Sequence, residues 1–344
     1  MKISIIGHFG GEKKFNDGQT VKTKSLYEGF KNRGVYSYKV DTYYSKKQPI
    51  IFWSKLLKAL IVSKKIIVLV SANGRRILFP ILYLFSILGK DVYHYAIGGR
   101  LAREVEKNKT WKKYLISFRG NWMESQELTN NLIELGVENA IYLPNFKKLD
   151  ILKIEDLNEN IEEPFKFCIF SRVMKEKGVK DAIDTIVKVN NLYGKIIAKL
   201  DIYGPIESRF KQEFDELLIR SNETCRYCGI IDSDKSVNVL KEYYMLLFPT
   251  HWKHEGIPGT IIDALSSGLP IIARRWQYCD EMITNMETGL VYDFDKPEKI
   301  YDCICFAIEH KETIKGMREN CLKKAYFYSE EYVMDKIMEN IESN

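Results

Sequence analysis

Two carboxylates, Glu255 and Asp263, stand eight positions apart across a Gly-x-Pro turn in HWKHEGIPGTIIDALSSGLPII (251–272). Gly256 and Pro258 bring the backbone close and fix its entry angle. A helix is predicted to begin at Gly259 or Thr260, so Glu255 precedes its start and Asp263 falls in its first turn. Backbone N–H groups point outward at a helix N-terminus and attract anions. Two acids placed there suit hydrogen-bond donors instead, such as the hydroxyls of one elongated ligand crossing the helix end. A sugar at one end, a ribose at the other and a diphosphate between them fit that arrangement. Compensation of the helix dipole accounts for Asp263 alone, and leaves Glu255 and the turn without a reason.

The counter-charge for a diphosphate is present in the same half of the chain. SRVMKEKGV (171–179) follows the apolar run FKFCIF and holds Arg172 and Lys177. KLDIYGP ends in Gly204 and Pro205, a glycine-lined approach. Arginine and lysine neutralise a diphosphate, and helix-end amides donate to it. A solvated turn is the competing account for the two cations taken alone. It weakens once they are set beside the segment 255–263, where Gly256, Ile257, Pro258, Gly259 and Thr260 are the expected contacts of the ligand.

These residues all follow apolar strands, so the elements must deliver strand ends to one place. The first half alternates KISIIG, a helix near 20–33, YSYKVD, an amphipathic stretch 50–63, KIIVLV, an apolar helix 77–88, DVYHYAI, YLISF, a helix 124–135 and AIYLPN. A charged segment at 147–164 then breaks the pattern and reads as a linker. The second half alternates FKFCIFSR, a helix 178–193, KLDIYGP, a helix 208–220, RYCGII, a helix 234–243, MLLFPT, the helix from 259, LPIIAR and TGLVYD, before a C-terminal helical pattern. Continuous apolar strands between helices predict α/β architecture: two Rossmann-like, doubly wound parallel-sheet domains facing a cleft. The expected division is 1–150 and 151–327, with a C-terminal helix at 328–344. Ligands in such sheets sit beyond the carboxyl ends of the strands.

At 344 residues the chain suits two domains, and its 45% hydrophobic and 28% charged residues are those of a globular protein. No apolar run is long enough to span a bilayer, and MKISIIGHFGG lacks the marks of a signal peptide. Seven scattered cysteines do not form a disulfide framework, which points to a reducing cytoplasm. CRYC (225–228) has no second half and reads as strand, and Asp-Ser-Asp (232–234) reads as an acidic N-cap, so no metal site is assigned. The net +6 hides an asymmetry: residues 1–150 carry 26 Lys and Arg against 12 Asp and Glu, and the remainder 26 against 34. The first half, at +14, is therefore expected to face an anionic partner. The stretch 50–65 and the pair Arg75–Arg76 are the candidates for contact with an anionic membrane surface, ahead of the helix 77–88, which reads as core.

Three separated stretches, FSRVMKEKGVKDAI, LDIYGP and FPTHWKHEGIPGTIIDALSSGLPIIA, resemble the C-terminal-domain signatures of GT-B fold glycosyltransferases of glycosyltransferase family 4. The resemblance covers most of 165–300, and it implies that the C-terminal helix 328–344 crosses back to the first domain. It implies that Arg172 and Lys177 bind the donor diphosphate, that Glu255 meets the donor sugar and that Asp263, an Asp in place of the family's usual Glu, meets the nucleotide ribose. DGQTVKTKSLYEGFKNRG (17–34) resembles the family's glycine turn, which brings Gly18 to the donor phosphate with Gln19 and Thr20 beside it; Gly10 and Gly11 compete for that role. Where the family often has a histidine before a glycine, VYHYAIGG offers Ile97. His94 reads as a packed core residue, so no catalytic histidine is assigned.

The resemblance implies a retaining, metal-independent glycosyltransferase without a cofactor. It would move a sugar from a UDP-sugar to a hydroxyl of a glycan acceptor. A lipid-linked acceptor at the inner membrane face, in bacterial surface polysaccharide assembly, suits the basic first half. Two rivals stand beside this reading: a nucleotide-sugar epimerase on the same fold, and a non-catalytic partner subunit. A dehydrogenase is disfavoured because no G-x-G-x-x-G with a downstream acid follows the first strand. Nucleic-acid binding is disfavoured because no recognisable module accompanies the charge.

Overall fold

Twelve strands form two parallel sheets in a computed structural model that describes residues 2–12, 17–148, 150–158, 162–232 and 234–343. Parts of the predicted linker (149 and 159–161) and Ser233 of the Asp-Ser-Asp stretch lie outside the described residues. The chain divides into two units, Met1–Lys148 with Tyr328–Asn344, and Leu149–Phe327.

In the first unit the strands are β1 (Lys2–Gly7), β2 (Tyr36–Asp41), β3 (Lys65–Leu69), β4 (Asp91–Tyr95), β5 (Gly120–Met123) and β6 (Ala140–Tyr142), in the order β2-β1-β3-β4-β5-β6. β1 and β3 are buried on both faces, which is why they read as unbroken runs of Ile, Val and Leu. One face carries the helices Pro49–Val62 and Ala72–Ile87, through Phe52, Leu56, Leu60, Leu78, Phe79 and Leu82. The other carries Gly18–Asn32 and the last helix, Glu330–Glu342. Val333, Met334, Ile337 and Ile341 follow helical spacing and are all 0% exposed, so the chain's final turns complete this core. Each such side chain contributes about 1.5–3 kcal/mol.

In the second unit the strands are β7 (Phe165–Phe170), β8 (Ala198–Tyr203), β9 (Cys225–Gly229), β10 (Met245–Phe248), β11 (Ile271–Arg274) and β12 (Gly289–Tyr292), in the order β12-β11-β10-β7-β8-β9. A polar chain from the exposed Arg226 to the buried Asp201 and Tyr243 braces this sheet. Arg226 donates two hydrogen bonds to Asp201, at 2.6 and 2.7 Å, and Tyr243 donates to Asp201 at 2.7 Å. Burial alone would raise the Asp201 pKa, but these donors outweigh it and hold the carboxyl below its usual range. With two six-stranded parallel sheets covered by helices, the architecture is the predicted α/β one.

Several local expectations are corrected, while those for CRYC and His94 hold. YLISF is no strand: it closes the helix Lys109–Ser117, whose Trp111, Leu115 and Phe118 pack at helical spacing, and the strand is the following GNWM. A short apolar run does not distinguish the two. The helix predicted over 234–243 is only Ser236–Leu240, and its N-cap is Lys235, so neither aspartate caps it. CRYC lies in β9 and at its end, with both cysteines free. Arg75 is not a surface cation: it is 3% exposed and donates to Glu104 at 2.6 Å. His94 is 0% exposed against the Phe79 ring, and burial holds its pKa well below the ordinary histidine value.

Lys22, on the helix Gly18–Asn32, is the least expected charge in the first unit. It is 2% exposed, its Nζ lies 2.5 Å from Glu124 Oε1, 3.0 Å from the Ala96 carbonyl and 3.3 Å from the Tyr95 ring centroid. Burial lowers its pKa to about 8, although Glu124 opposes the shift. The unfolded chain holds this proton up to about 10.5, so between those values the unfolded state binds more protons and stability rises with pH. Wild type should therefore gain up to about 3 kcal/mol over Lys22→Met in chemical denaturation between pH 8 and 10.5. A constant difference across that window would show that the amine is not perturbed.

Candidate functional site

Strand order reverses between β7 and β10 in the second sheet: the chain runs outward from β7 through β8 to β9, then resumes at β10 and runs the other way. Connections therefore leave the carboxyl ends of β7 and β10 in opposite directions, and a crevice opens there. The segments carrying Arg172, Lys177 and Glu255 are the ones that leave those two strand ends.

After β7 the backbone passes Ser171 and Arg172, bridges Val173 to Ile206, and makes a 3₁₀ turn at Lys175–Lys177 before the helix Val179–Tyr193. Gly178 joins turn to helix at φ 69°, and a Cβ there would stand 2.0 Å from the Pro249 carbonyl oxygen. Gly204 has φ 132°, and its Cβ would stand 1.8 Å from the Ser171 carbonyl oxygen. Both positions thus require glycine so that the post-strand segments can touch. Gly204 was expected to line an approach for the ligand; in the structure it lets β8 pass against the start of the Arg172 segment.

After β10 the loop 249–258 is tied down along its length. His251 N–H donates to the Glu176 carbonyl at 2.8 Å, Glu255 N–H to the Trp252 carbonyl at 3.2 Å, and Trp276 Nε1 to the Gly256 carbonyl at 3.1 Å. Pro258 is the N-cap of the helix Gly259–Ser266, and Thr260 Oγ1 donates to the Phe170 carbonyl at 2.5 Å, fastening the helix start to the end of β7. A Cβ added at Gly256 or Gly259 would meet nothing within 4 Å, so the backbone on either side of Pro258 is open where those side chains would project.

The charged groups converge at the same place. Lys177 Nζ lies 2.6 Å from Glu255 Oε2, with side-chain exposures of 10% and 15%. Thr250 Oγ1 donates to the same oxygen at 3.3 Å, whereas Oε1 makes no hydrogen bond with a described residue. The Trp252 ring carries both cations, Lys177 Nζ at 4.7 Å from its centroid and the Arg172 guanidinium at 5.9 Å. Arg172 is exposed and makes no ion pair with a described residue. The trio Arg172, Lys177 and Glu255 has a net charge of +1, beside the positive end of a helix. Such a place draws an anion while leaving one carboxylate oxygen to accept from a hydroxyl.

Asp263 departs from its expectation. It lies in the second turn of the helix, not the first, because the helix begins at Gly259. It is 2% exposed, and Ser236 Oγ donates to its Oδ1 at 3.1 Å across 27 residues. Its carboxylate therefore helps fasten the helix Ser236–Leu240 to the helix Gly259–Ser266.

In the first unit, the order reverses between β1 and β3. Gly18 opens its helix behind the N-cap Asp17, and a Cβ on it would meet nothing within 4 Å. Gln19 Nε2 donates to the Leu69 carbonyl at the end of β3 at 3.4 Å. The competing turn is already engaged: Gly11 N–H donates to Asp41 at 2.8 Å, and a Cβ there would strike the Tyr43 ring at 2.6 Å. Thr20 Oγ1 donates to Asp17 and lies 2.7 Å from His8 Nδ1. His8, which directly follows β1, is thus a neighbour of this helix start that no sequence motif marks, its place after a strand being the one signal for it. Among the described residues no group of three His, Cys, Asp or Glu side chains could hold a metal ion.

An uncharacterized glycosyltransferase of Methanocaldococcus jannaschii is 27% identical over 203 residues, 57% of this chain and 51% of that protein. The GtfA subunit of the UDP-N-acetylglucosamine–peptide N-acetylglucosaminyltransferase of Streptococcus agalactiae is 26% identical over 211 residues, 60% of this chain and 40% of that protein. The chain thus spans about half the length of these curated relatives or less. The crystal structure of Anabaena HepE in complex with UDP superposes with a TM-score of 0.73 over all of both chains at 12% identity, which establishes the shared GT-B fold. The family model of glycosyl transferases group 1 matches residues 150–326, just over half of the chain and nearly all of the second unit, and the protein belongs to that family.

Proposed function

We propose that this protein is a retaining glycosyltransferase that moves a sugar from a UDP-sugar to a hydroxyl of a lipid-linked glycan in bacterial surface polysaccharide synthesis. The observation that carries the donor half of this reading is the meeting of Arg172, Lys177 and Glu255 with the open helix start at Gly256–Thr260. UDP as the nucleotude is supported by HepE, whose structure was solved with UDP, and by the UDP-sugar named for the Streptococcus agalactiae relative. Family membership supports sugar transfer, and the resemblance to glycosyltransferase family 4 supports retention. The basic charge of residues 1–150 supports an anionic, lipid-linked acceptor.

In this reading the bond between the sugar carbon and the departing diphosphate breaks while positive charge develops on the sugar. Arg172, Lys177 and the amides at Gly259 and Thr260 stabilise the negative charge that builds on the diphosphate, without a metal. The leaving phosphate takes the proton of the incoming hydroxyl on the same face of the sugar. Glu255 holds Lys177 with Oε2 and offers Oε1 to a hydroxyl of the donor sugar. Asp263 acts through Ser236, shaping the wall near the ribose.

Calorimetric titration with UDP tests the central claim. Arg172→Ala should weaken UDP about 10- to 100-fold, the range of a charge-assisted hydrogen bond; unchanged affinity would overturn the assignment. Glu255→Gln separates the two halves of its role. Freeing Lys177 from its partner should leave UDP affinity equal or tighter, while transfer falls at least about 100-fold through loss of the sugar contact. A parallel fall in UDP affinity would place Glu255 in structure rather than catalysis. Activity should survive exhaustive chelation with EDTA, and the anomeric proton coupling of the product should match that of the donor.

A further inference from the structure

Between Asp41 and Asp91 the sequence contains no acidic residue at all, whereas residues 42–90 hold nine Lys and Arg. The helix Pro49–Val62 lies inside this stretch. Its buried side chains, Phe52, Leu56, Ala59 and Leu60, are spaced to face the sheet. Turning about 100° per residue, Ile50, Trp53, Leu57 and Ile61 fall within about 80° of arc on a different side. That second row is large, apolar and open: Ile50 is 83% exposed, Leu57 54% and Ile61 64%. An amphipathic helix packed on a sheet needs one apolar stripe, and this one has two.

The neighbouring helix Ala72–Ile87 repeats the pattern. Leu78, Phe79 and Leu82 are buried, whereas Ile77, Leu84 and Ile87, with Leu88 just beyond, are exposed. The two helices cover the same face of the first sheet. Lys90 Nζ donates to the Ile61 and Ser63 carbonyls at 3.0 and 2.9 Å, drawing the end of the second helix to the end of the first. Lysines border the apolar row. Lys46, Lys47, Lys55 and Lys58 make no ion pair with a described residue; Lys47 Nζ donates to the Tyr43 hydroxyl at 2.6 Å, and Lys58 Nζ lies 5.9 Å from the Tyr38 ring centroid. No helix among the described residues is long and apolar enough to cross a membrane.

We propose that the outer face of the helix Pro49–Val62, continued by that of Ala72–Ile87, lies in the surface of an anionic lipid bilayer. Ile50, Trp53, Leu57 and Ile61 would enter the boundary between headgroups and acyl chains, and the lysines would meet lipid phosphates. The apolar row disfavours a nucleic acid, whose phosphates would leave four large hydrophobic side chains in water. The absence of any acid across 49 residues favours a surface of uniform negative charge over a protein patch of mixed sign. This deepens the lipid-linked acceptor reading, since it would hold the first unit where such an acceptor resides, but it does not require that reading to be right.

Flotation of the full chain with vesicles, without donor or acceptor, tests the docking face separately from transfer. The protein should float with phosphatidylcholine vesicles containing about 30% phosphatidylglycerol and remain behind with phosphatidylcholine alone, and salt at about 0.5 M should release it. Brominated lipid should quench tryptophan emission in wild type and lose that part of the quenching in Trp53→Phe. Leu57→Ser with Ile61→Ser, both at exposed positions, should lower the vesicle partition coefficient at least about 10-fold while UDP binding stays at the wild-type value. Flotation equal on both vesicle types, absence of flotation on either, or retention of nucleic acid without vesicle binding would each overturn the proposal. If the vesicles bind as expected but no lipid-linked acceptor is glycosylated, the docking face stands and the acceptor reading falls.

Discussion

A parallel sheet sends every strand's carboxyl end to one edge, and a reversal of strand order leaves one point on that edge uncovered. Both sheets of this protein obey that constraint, at β1 and β3 in the first and at β7 and β10 in the second. In the second sheet the uncovered point is held open by contact as well as by topology. Gly178 passes the Pro249 carbonyl, Gly204 passes the Ser171 carbonyl, and Thr260 bonds the end of β7. These close passages fix where Arg172, Lys177 and Glu255 emerge. Without them the charges would belong to two independent loops.

The ion pair of Lys177 with Glu255 sets the character of the place. A free lysine beside an arginine and a helix N-terminus would be a strong but indiscriminate trap for anions. With one carboxylate drawn in, the local charge falls to +1, the lysine is oriented, and a single oxygen remains for a neutral hydroxyl. Trp252 supports both cations from beneath with its ring, so they are held by packing as well as by charge. The arrangement suits a ligand that is anionic in its middle and polyhydroxylated at its end.

The alternation of strands and helices was legible in the sequence because fully buried parallel strands write themselves as unbroken apolar runs. Failures came where a short run had to be assigned by itself, as with YLISF, or where the first residue of a helix decided a role, as with Asp263. The helix begins at Gly259, one of the two starts expected, which puts that carboxylate in the second turn, and its burial against Ser236, 27 residues away, is not encoded in the segment itself. The segments of the candidate site were legible as post-strand stretches with unusual chemistry. Their mutual contacts were not: Lys177 and Glu255 are 78 residues apart, and nothing in either stretch encodes the other. Arg75 shows the same limit, since Glu104, 29 residues on, turns an apparent surface cation into a buried one.

The return of residues 328–344 to the first sheet bears on how the chain is made. The core around Leu26 and Phe30 is finished only by Val333, Met334, Ile337 and Ile341. During synthesis on the ribosome, the second unit emerges complete while the first still lacks its closing helix. The first sheet must therefore wait for residues made after the whole second unit, with the part of its apolar face that the helix Glu330–Glu342 covers turned to water or to a chaperone until then. Truncation by a few turns at the carboxyl end would strike the amino-terminal half of the molecule.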